Sequence, residues 1–277
     1  MQEYRLLIET IDQKGLVYNI SKILYEHNLS IQNNSEYVDK EENKFFMRTV
    51  ISGEFNQTKL LDDLKMILPN NSIINLVEKR KKDIVILATK EMHCIGDLLI
   101  KHTAGDLDAN IVAVISNHDS LRDLVEKFNI PYEHISHEDC TRDEHEQQMI
   151  TAIKKYPFDI VVLAKYMRIL TPVFVKSFPK QIINIHHSFL PAFIGANPYK
   201  QAYQRGVKII GATSHFVTDD LDEGPIIAQD IVRVDHTYSW QDMRNAGRNV
   251  EKVVLSNALD LVLDDKVFVF GNKTVIL

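Results

Sequence analysis

Cysteine is scarce in this chain. Cys94 and Cys140 are the only two, too few and too far apart for a disulfide framework, and neither belongs to a paired metal-ligand spacing. Both read as free thiols, Cys94 within EMHCIGDLL as a small buried hydrophobe. Positive charge is not in excess either: 32 Lys and Arg stand against 38 Asp and Glu, a formal net charge of -6, and the pI is near 6.0. Such a surface gives no footprint for a phosphate backbone, so nucleic acid is not the expected partner. Nowhere do about eighteen apolar residues run together, which removes a membrane span from the expectation. The opening MQEYRLLIETIDQKG lacks a basic n-region followed by an apolar h-region, and the expected location is cytoplasmic. No internal repeat or low-complexity tract is visible.

What is present is ordinary globular material. The 277 residues are 45% hydrophobic and 25% charged, enough for one or two domains, with two expected. Residues 1–80 read as YRLLIETI (strand), LVYNISKILYEHN (helix), SIQNNSEYVD (strand), KFFMRTVISGEF (strand), QTKLLDDLKMIL (helix) and SIINLVEK (strand). Helical spacing puts Val17, Ile20, Ile23 and Leu24 on one stripe, while Phe45, Met47, Thr49 and Ile51 alternate as in a strand. The pattern is βαββαβ, a ferredoxin-like arrangement.

The basic run EKRKKD, residues 78–83, fits a solvated linker in an acidic chain, and the domain boundary is set there. Residues 84–277 change texture. Apolar strands such as DIVILAT, NIVAVIS, FDIVVLA and QIINIH alternate with amphipathic helices. Continuous apolar runs such as Ile160 to Ala164 mark strands covered on both faces, hence a doubly wound α/β domain with a mostly parallel sheet. KIIGATSHFV, PIIAQDIVRV, a long helix opened by Trp240 and a terminal hairpin in KVFVFGNKTVIL complete it.

In doubly wound sheets ligands bind outside the carboxyl ends of strands. The stretch INIHHSFLPAF delivers Asn184 and His186 to such an end, and strand alternation points them to one face with His187 aimed away. Farther on, GATSHFVTDDLDEGPIIAQD carries His215 in a strand and Asp219, Asp220, Asp222 and Glu223 in a loop closed by Gly224 and Pro225. An amide, an imidazole and a carboxylate together fit acid/base work on a carbonyl carbon with a stabilised oxyanion. By spacing alone the same residues also fit capped turns.

The block NIHHSFLPAFIGANPYKQAYQRGVKIIGATSHFVTDDLDEGPIIAQD resembles the formyl-transfer signature of enzymes that handle 10-formyltetrahydrofolate, with an Asn-x-His strand end, an SFLP turn and His215 seven residues before Asp222. The resemblance implies a formyltransferase-type α/β fold over residues 84–277. It implies that Asn184 and His186 hold the developing oxyanion and that Asp222 manages protons and positions water, with His215 in support and Asp219 beside the folate. LAKYMRILTP is similar to the segment lining the pterin pocket, which assigns folate binding to Met167, Arg168, Ile169 and Leu170 through main-chain groups.

Departures within this group separate the reactions. Glycinamide ribonucleotide transformylases have a glycine-rich loop after the first strand of this domain, whereas here Lys90, Glu91, Met92 and His93 stand in its place. A phosphorylated amine acceptor loses its seat, and formyl transfer of that kind is kept as the alternative. Methionyl-tRNA formyltransferases carry a further RNA-binding domain, disfavoured here by the acidic charge and the end at residue 277. The double histidine of IHHSFLPAF resembles formyltetrahydrofolate deformylases. So does the other end: IETIDQKGLVYNISKILYEHNLSI resembles the start of an ACT domain, with Asp12 and Gly15 in the loop that receives a small amino acid.

The resemblance therefore implies hydrolysis of 10-formyltetrahydrofolate to tetrahydrofolate and formate, balancing the one-carbon pool and supplying formate for purine synthesis. It implies no cofactor and no metal, an amino-acid effector at the ACT-like unit, and a homodimer or homotetramer. The histidines of residues 134–145, with Cys140 among them, have neither zinc-finger nor metalloprotease spacing and read as structural. Trp240 reads as packing.

Overall fold

The computed structural model describes residues 2–192 and 197–277; the FIGA part of the formyl-transfer block, residues 193–196, lies outside them. The chain divides into two compact units.

The first unit runs β1 (Glu3–Ile11), α1 (Leu16–Glu26), β2 (Ser30–Asp39), β3 (Lys44–Ser52), α2 (Gln57–Ile67) and β4 (Ile73–Glu78). Its four strands lie in the order β2-β3-β1-β4, with antiparallel pairings. Gly15 opens α1 at φ 92, a left-handed conformation that suits glycine. Asn56 caps α2 by accepting from the Lys59 amide. Leu6 and Ile8 of β1, Leu16, Ile20 and Leu24 of α1, Met47 and Ile51 of β3, and Leu60 and Leu64 of α2 make the core.

Two details depart from the periodicity. The buried stripe of α1 is Leu16, Ile20 and Leu24, spaced four apart, with Ile23 packed partly against it and Val17 turned toward solvent. Strand β3 is buried on both faces: Phe46 and Arg48 are covered as well as Phe45 and Met47. The second face is closed from the far end of the chain, since residues 265–270 and 275–277 belong to this unit. Phe268 and Phe270 stand edge-on to Phe46 at 5.7 and 5.8 Å, and Arg5 pairs with Asp265 at 2.8 Å. A single cut near residue 80 therefore does not describe the division.

The second unit holds β5 (Lys82–Ala88), α3 (His93–Ala104), β6 (Ala109–Ser116), α4 (Arg122–Glu126), β7 (Tyr132–His134), α5 (Arg142–Ile153), β8 (Ile160–Ala164), α6 (Pro172–Ser177), β9 (Ile182–His186), α7 (Pro198–Arg205), β10 (Ile209–Phe216), β11 (Ile226–Arg233) and α8 (Trp240–Leu263). A terminal hairpin of β12 (Val267–Phe270) and β13 (Lys273–Ile276) follows. Helix α7, with Pro198 in its first turn and Gly206 at its C-cap, carries start and stop signals that the sequence reading passed over. Among the described residues no helix is long and apolar enough to cross a membrane.

The seven strands run β11-β10-β9-β8-β5-β6-β7. Pairs β9–β8, β8–β5, β5–β6 and β6–β7 are parallel, while β10 is antiparallel to both neighbours. Residues 84–88 and 160–164 are buried throughout, as expected of strands covered on both faces. From β5 the chain goes first to β6 on one side and later to β8 on the other, so the crevice beyond the ends of β5 and β8 is the topological switch point. Strand β9 ends beside it.

Phe268→Ala removes a buried ring and is expected to cost the first unit about 3–5 kcal/mol. Hydrogen exchange checks it: amides of β1 and β3 should lose protection by that amount while those of β5 and β8 keep theirs.

Candidate active site

On β9, Ile183 and Ile185 are buried on one side, and Asn184 and His186 share the other. The antiparallel register with β10 sets His215 directly opposite Asn184 and Thr213 opposite His186. Thr213 also fixes the turn that follows: its hydroxyl accepts from the Leu190 amide at 3.0 Å and donates to the Ser188 carbonyl at 2.9 Å. The strand end and the SFLP turn are thereby tied to one residue of the neighbouring strand.

The fourth group comes from the loop between β10 and β11. Its base is closed by the Phe216 amide donating to the Pro225 carbonyl at 2.9 Å. The chain passes so tightly that a Cβ on Gly224 would fall 1.8 Å from the Phe216 oxygen. Asp222 takes a left-handed φ of 58, tolerated by aspartate better than by most side chains. Its carboxylate returns over the strands to stand 3.3 Å from His186 Nδ1 and 3.7 Å from His215 Nε2.

The hydrogen bonds give each group an orientation. His215 Nδ1 donates to the Phe216 carbonyl at 2.9 Å, and its Nε2 faces the Asn184 amide nitrogen at 3.2 Å and the Asp222 carboxylate at 3.7 Å. His186 turns Nδ1 to Asp222, and its Nε2 is buried with no partner. Burial by itself raises the Asp222 carboxyl, but the hydrogen bonds and charge of His186, then of His215, outweigh it and hold the group well below the usual carboxylate range. The arrangement keeps a carboxylate charged between two imidazoles and leaves one buried imidazole nitrogen unsatisfied.

The remaining expected residues lie as follows. Met167, Arg168, Ile169 and Leu170 follow the end of β8, beside the site. Met167 and Ile169 expose their side chains and Leu170 packs on the core. Two main-chain groups of this stretch are already engaged, since the Met167 amide donates to Thr89 at 3.0 Å and the Ile169 carbonyl accepts from Arg142 at 2.5 Å. Asp219 is not drawn into the carboxylate–imidazole group; it pairs with the exposed Lys176 at 3.4 Å. Asp12 and Gly15 sit in the β1–α1 loop of the first unit, with the Asp12 amide donating to the Asn43 carbonyl.

His187 departs from the alternation. Strand β9 ends at His186, and past it the ring of His187 lies 5.2 Å from that of His186 rather than on the opposite side. Sequence reasoning also passed over Lys165, Tyr199 and Glu251, which surround it. The signal for Glu251 was a lone acid on an otherwise apolar helix face with Gly247, Val250, Val254 and Leu255.

Among the described residues one set of ligand-type side chains converges, His93, Cys94 and Glu251. Burial pushes the Cys94 thiol up, so it stays protonated, and the Lys165 ammonium already lies 3.2 Å from Glu251; the set does not suit a cation. His145 donates to the Ile135 carbonyl and Cys140 to the Ser136 carbonyl, roles that hold a loop.

A formyl transferase family model matches residues 82–259. The formyltetrahydrofolate deformylase of Escherichia coli (strain K12) is 60% identical over 275 residues, covering 99% of this chain and 98% of that protein. The one from Bacillus subtilis (strain 168) is 44% identical, covering 98% and 93%. The crystal structure of a formyltetrahydrofolate deformylase from Pseudomonas syringae pv. tomato str. DC3000 is similar with a TM-score of 0.95 at 40% identity, covering 100% of this chain and 95% of that one. Glycinamide ribonucleotide transformylase 1 from Symbiobacterium toebii is similar over 71% of this chain and 94% of its own, with a TM-score of 0.69 at 28% identity.

Asp222→Asn should lower stability at neutral pH by about 1.5–3 kcal/mol, the scale of hydrogen bonds to a charged group. The folded carboxyl is depressed, so its contribution is present above its unfolded value and lost as pH falls toward the folded one. Urea unfolding of both forms should show the difference narrowing below about pH 4.

Proposed function

Because the chain belongs to the formyltetrahydrofolate deformylase family, and so hydrolyses 10-formyltetrahydrofolate to tetrahydrofolate and formate, we propose that Asn184, His186 and Asp222 form its reaction centre. The observation that carries this reading is the buried, unpartnered Nε2 of His186 beside an ionised Asp222. A donor left unsatisfied in a dry place is costly unless something completes it. The oxygen of a tetrahedral intermediate does so.

In the proposed route water attacks the formyl carbon. His186, as an imidazolium, donates from Nδ1 to Asp222 and from Nε2 to the oxygen that becomes negative. Asn184, oriented by His215, supplies the second donor. Asp222 accepts from the attacking water, takes its proton as the C–O bond forms and returns it to N10 as the C–N bond breaks. A carboxylate held so low takes a proton reluctantly from water at rest, so its first work is to orient the nucleophile. The transfer becomes favourable once the attacking oxygen turns acidic. The route assigns no step to a metal or cofactor.

The free N–H and C=O groups of residues 167–170 are proposed to bind the pterin, and Asp219 to lie at its margin. Asp12 and Gly15 are proposed as the receiving loop for an amino-acid effector of an ACT-like unit, in a cytoplasmic homodimer or homotetramer whose formate serves purine synthesis. Transfer to an amine acceptor has support from likeness at 26–29% identity.

Incubation with 10-formyltetrahydrofolate and no amine acceptor should release formate. Asn184→Ala is expected to lose about 10²–10³ in turnover with an unchanged fold, and Asp222→Asn to lose at least as much. Near-normal formate release by Asp222→Asn would overturn the proton route.

A further inference from the structure

Next to the proposed centre lies a second group of buried charges. Glu251, on the core face of α8, is 1% exposed, and its Oε2 accepts from His93 Nε2 at 2.8 Å and pairs with Lys165 Nζ at 3.2 Å. Its Oε1 accepts from the Tyr199 hydroxyl at 2.5 Å. Burial alone raises this carboxyl, but His93, Lys165 and Tyr199 hold it down to about 2. Tyr199 reaches it across a glycine: a Cβ on Gly247 would stand 2.2 Å from the hydroxyl oxygen.

Lys165 is buried too, at a left-handed φ of 62 just past β8. The parallel register sets Leu163 against Asn184, two residues before Lys165 and His186 on their respective segments. Packing does not require such a pair, since apolar side chains of similar volume in its place are often neutral or stabilising. A device that costs this much desolvation at the switch point calls for a role in the reaction.

His187 stands between the two groups, its ring 5.2 Å from His186 and 6.0 Å from Tyr199. We propose that Lys165, held on the buried Glu251 carboxylate together with His93 and Tyr199, is a positioning residue that offsets the pull of that carboxylate, so that His187 stands as an uncharged imidazole against the ring of His186. The inference rests on the reading of His186 as the charged donor. A second cation at that spacing would compete for Asp222 and drive the proton off His186, removing the donor to the oxyanion.

The electrostatics agree in sign. Burial first, and next the Lys165 ammonium, push His187 down to about 3; Glu251 and Asp222 act the other way, and His186 acts with Lys165. These are the charged and titratable groups that face it, from the segment after β8, α8, the loop after β10 and the end of β9, with the Tyr199 ring from α7.

Removing Lys165 leaves Glu251 to attract a proton to His187; removing both charges leaves no such pull. Ring signals of His187, followed by NMR against pH, should show no titration above about pH 5 in the wild-type protein. In Lys165→Met the titration should move into the neutral range, and formate release should fall roughly tenfold for each pH unit below the new midpoint and recover above it. In Lys165→Met with Glu251→Gln, His187 should be uncharged again and most of the lost turnover should return. A purely structural pair predicts the reverse, with the double variant worse than the single and both impaired at every pH. That result, or a His187 that titrates above about pH 5 in the wild type, overturns the inference. The wild-type titration decides it even where a variant fails to fold, and it is read from His187 itself, so it stands apart from whether His186→Ala abolishes turnover.

Discussion

The antiparallel seating of β10 on β9 is the constraint on which the site depends. Every strand pair from β9 to β7 is parallel, and a parallel neighbour offers only staggered partners. Reversing at β10 sets His215 face to face with Asn184, close enough for one imidazole to fix the orientation of one amide. A slip of one residue would send His215 to the opposite face. Thr213 resists that slip, because its hydroxyl is bonded both to the turn after β9 and to Gln229 on β11.

Given that register, the chemistry of the centre is one of charges kept in a dry place. Asp222 is buried enough for its neutral form to be favoured, and it remains ionised because two imidazoles reach it. Glu251 repeats the arrangement with an ammonium, an imidazole and a phenol. In each case one carboxylate gathers donors from several elements, and losing one partner of such a pair exposes the rest to the full desolvation cost.

Much of this was legible in the residues. The βαββαβ order of the first eighty residues and the apolar strands beyond them are local patterns, and local patterns decide element type. Asn184, His186 and Asp222 were legible because a strand end and a glycine-closed loop carry polar groups that packing does not ask for. The second buried face of β3 was not legible: Phe46 and Arg48 looked solvent-facing in alternation, and their cover arrives from residues 265–270, far along the chain. His187 was misread because alternation ceases where the strand does. Lys165, Tyr199 and Glu251 fall on separate elements, and no spacing within any of them announces a shared carboxylate.

Water as the nucleophile explains why so much is fixed. An acceptor substrate brings binding energy of its own, which an enzyme can use for orientation. Water brings almost none, so the protein must supply the whole of its positioning and can do so only with groups already in place. Three of the four polar side chains stand on adjacent paired strands, and the fourth on a loop closed by a backbone hydrogen bond at its base. Sites built on such elements hold their geometry more closely than sites on long loops. The same demand bears on charge. A charged His187 beside His186 would compete for Asp222, so the buried glutamate that would draw a proton to it is paired with Lys165.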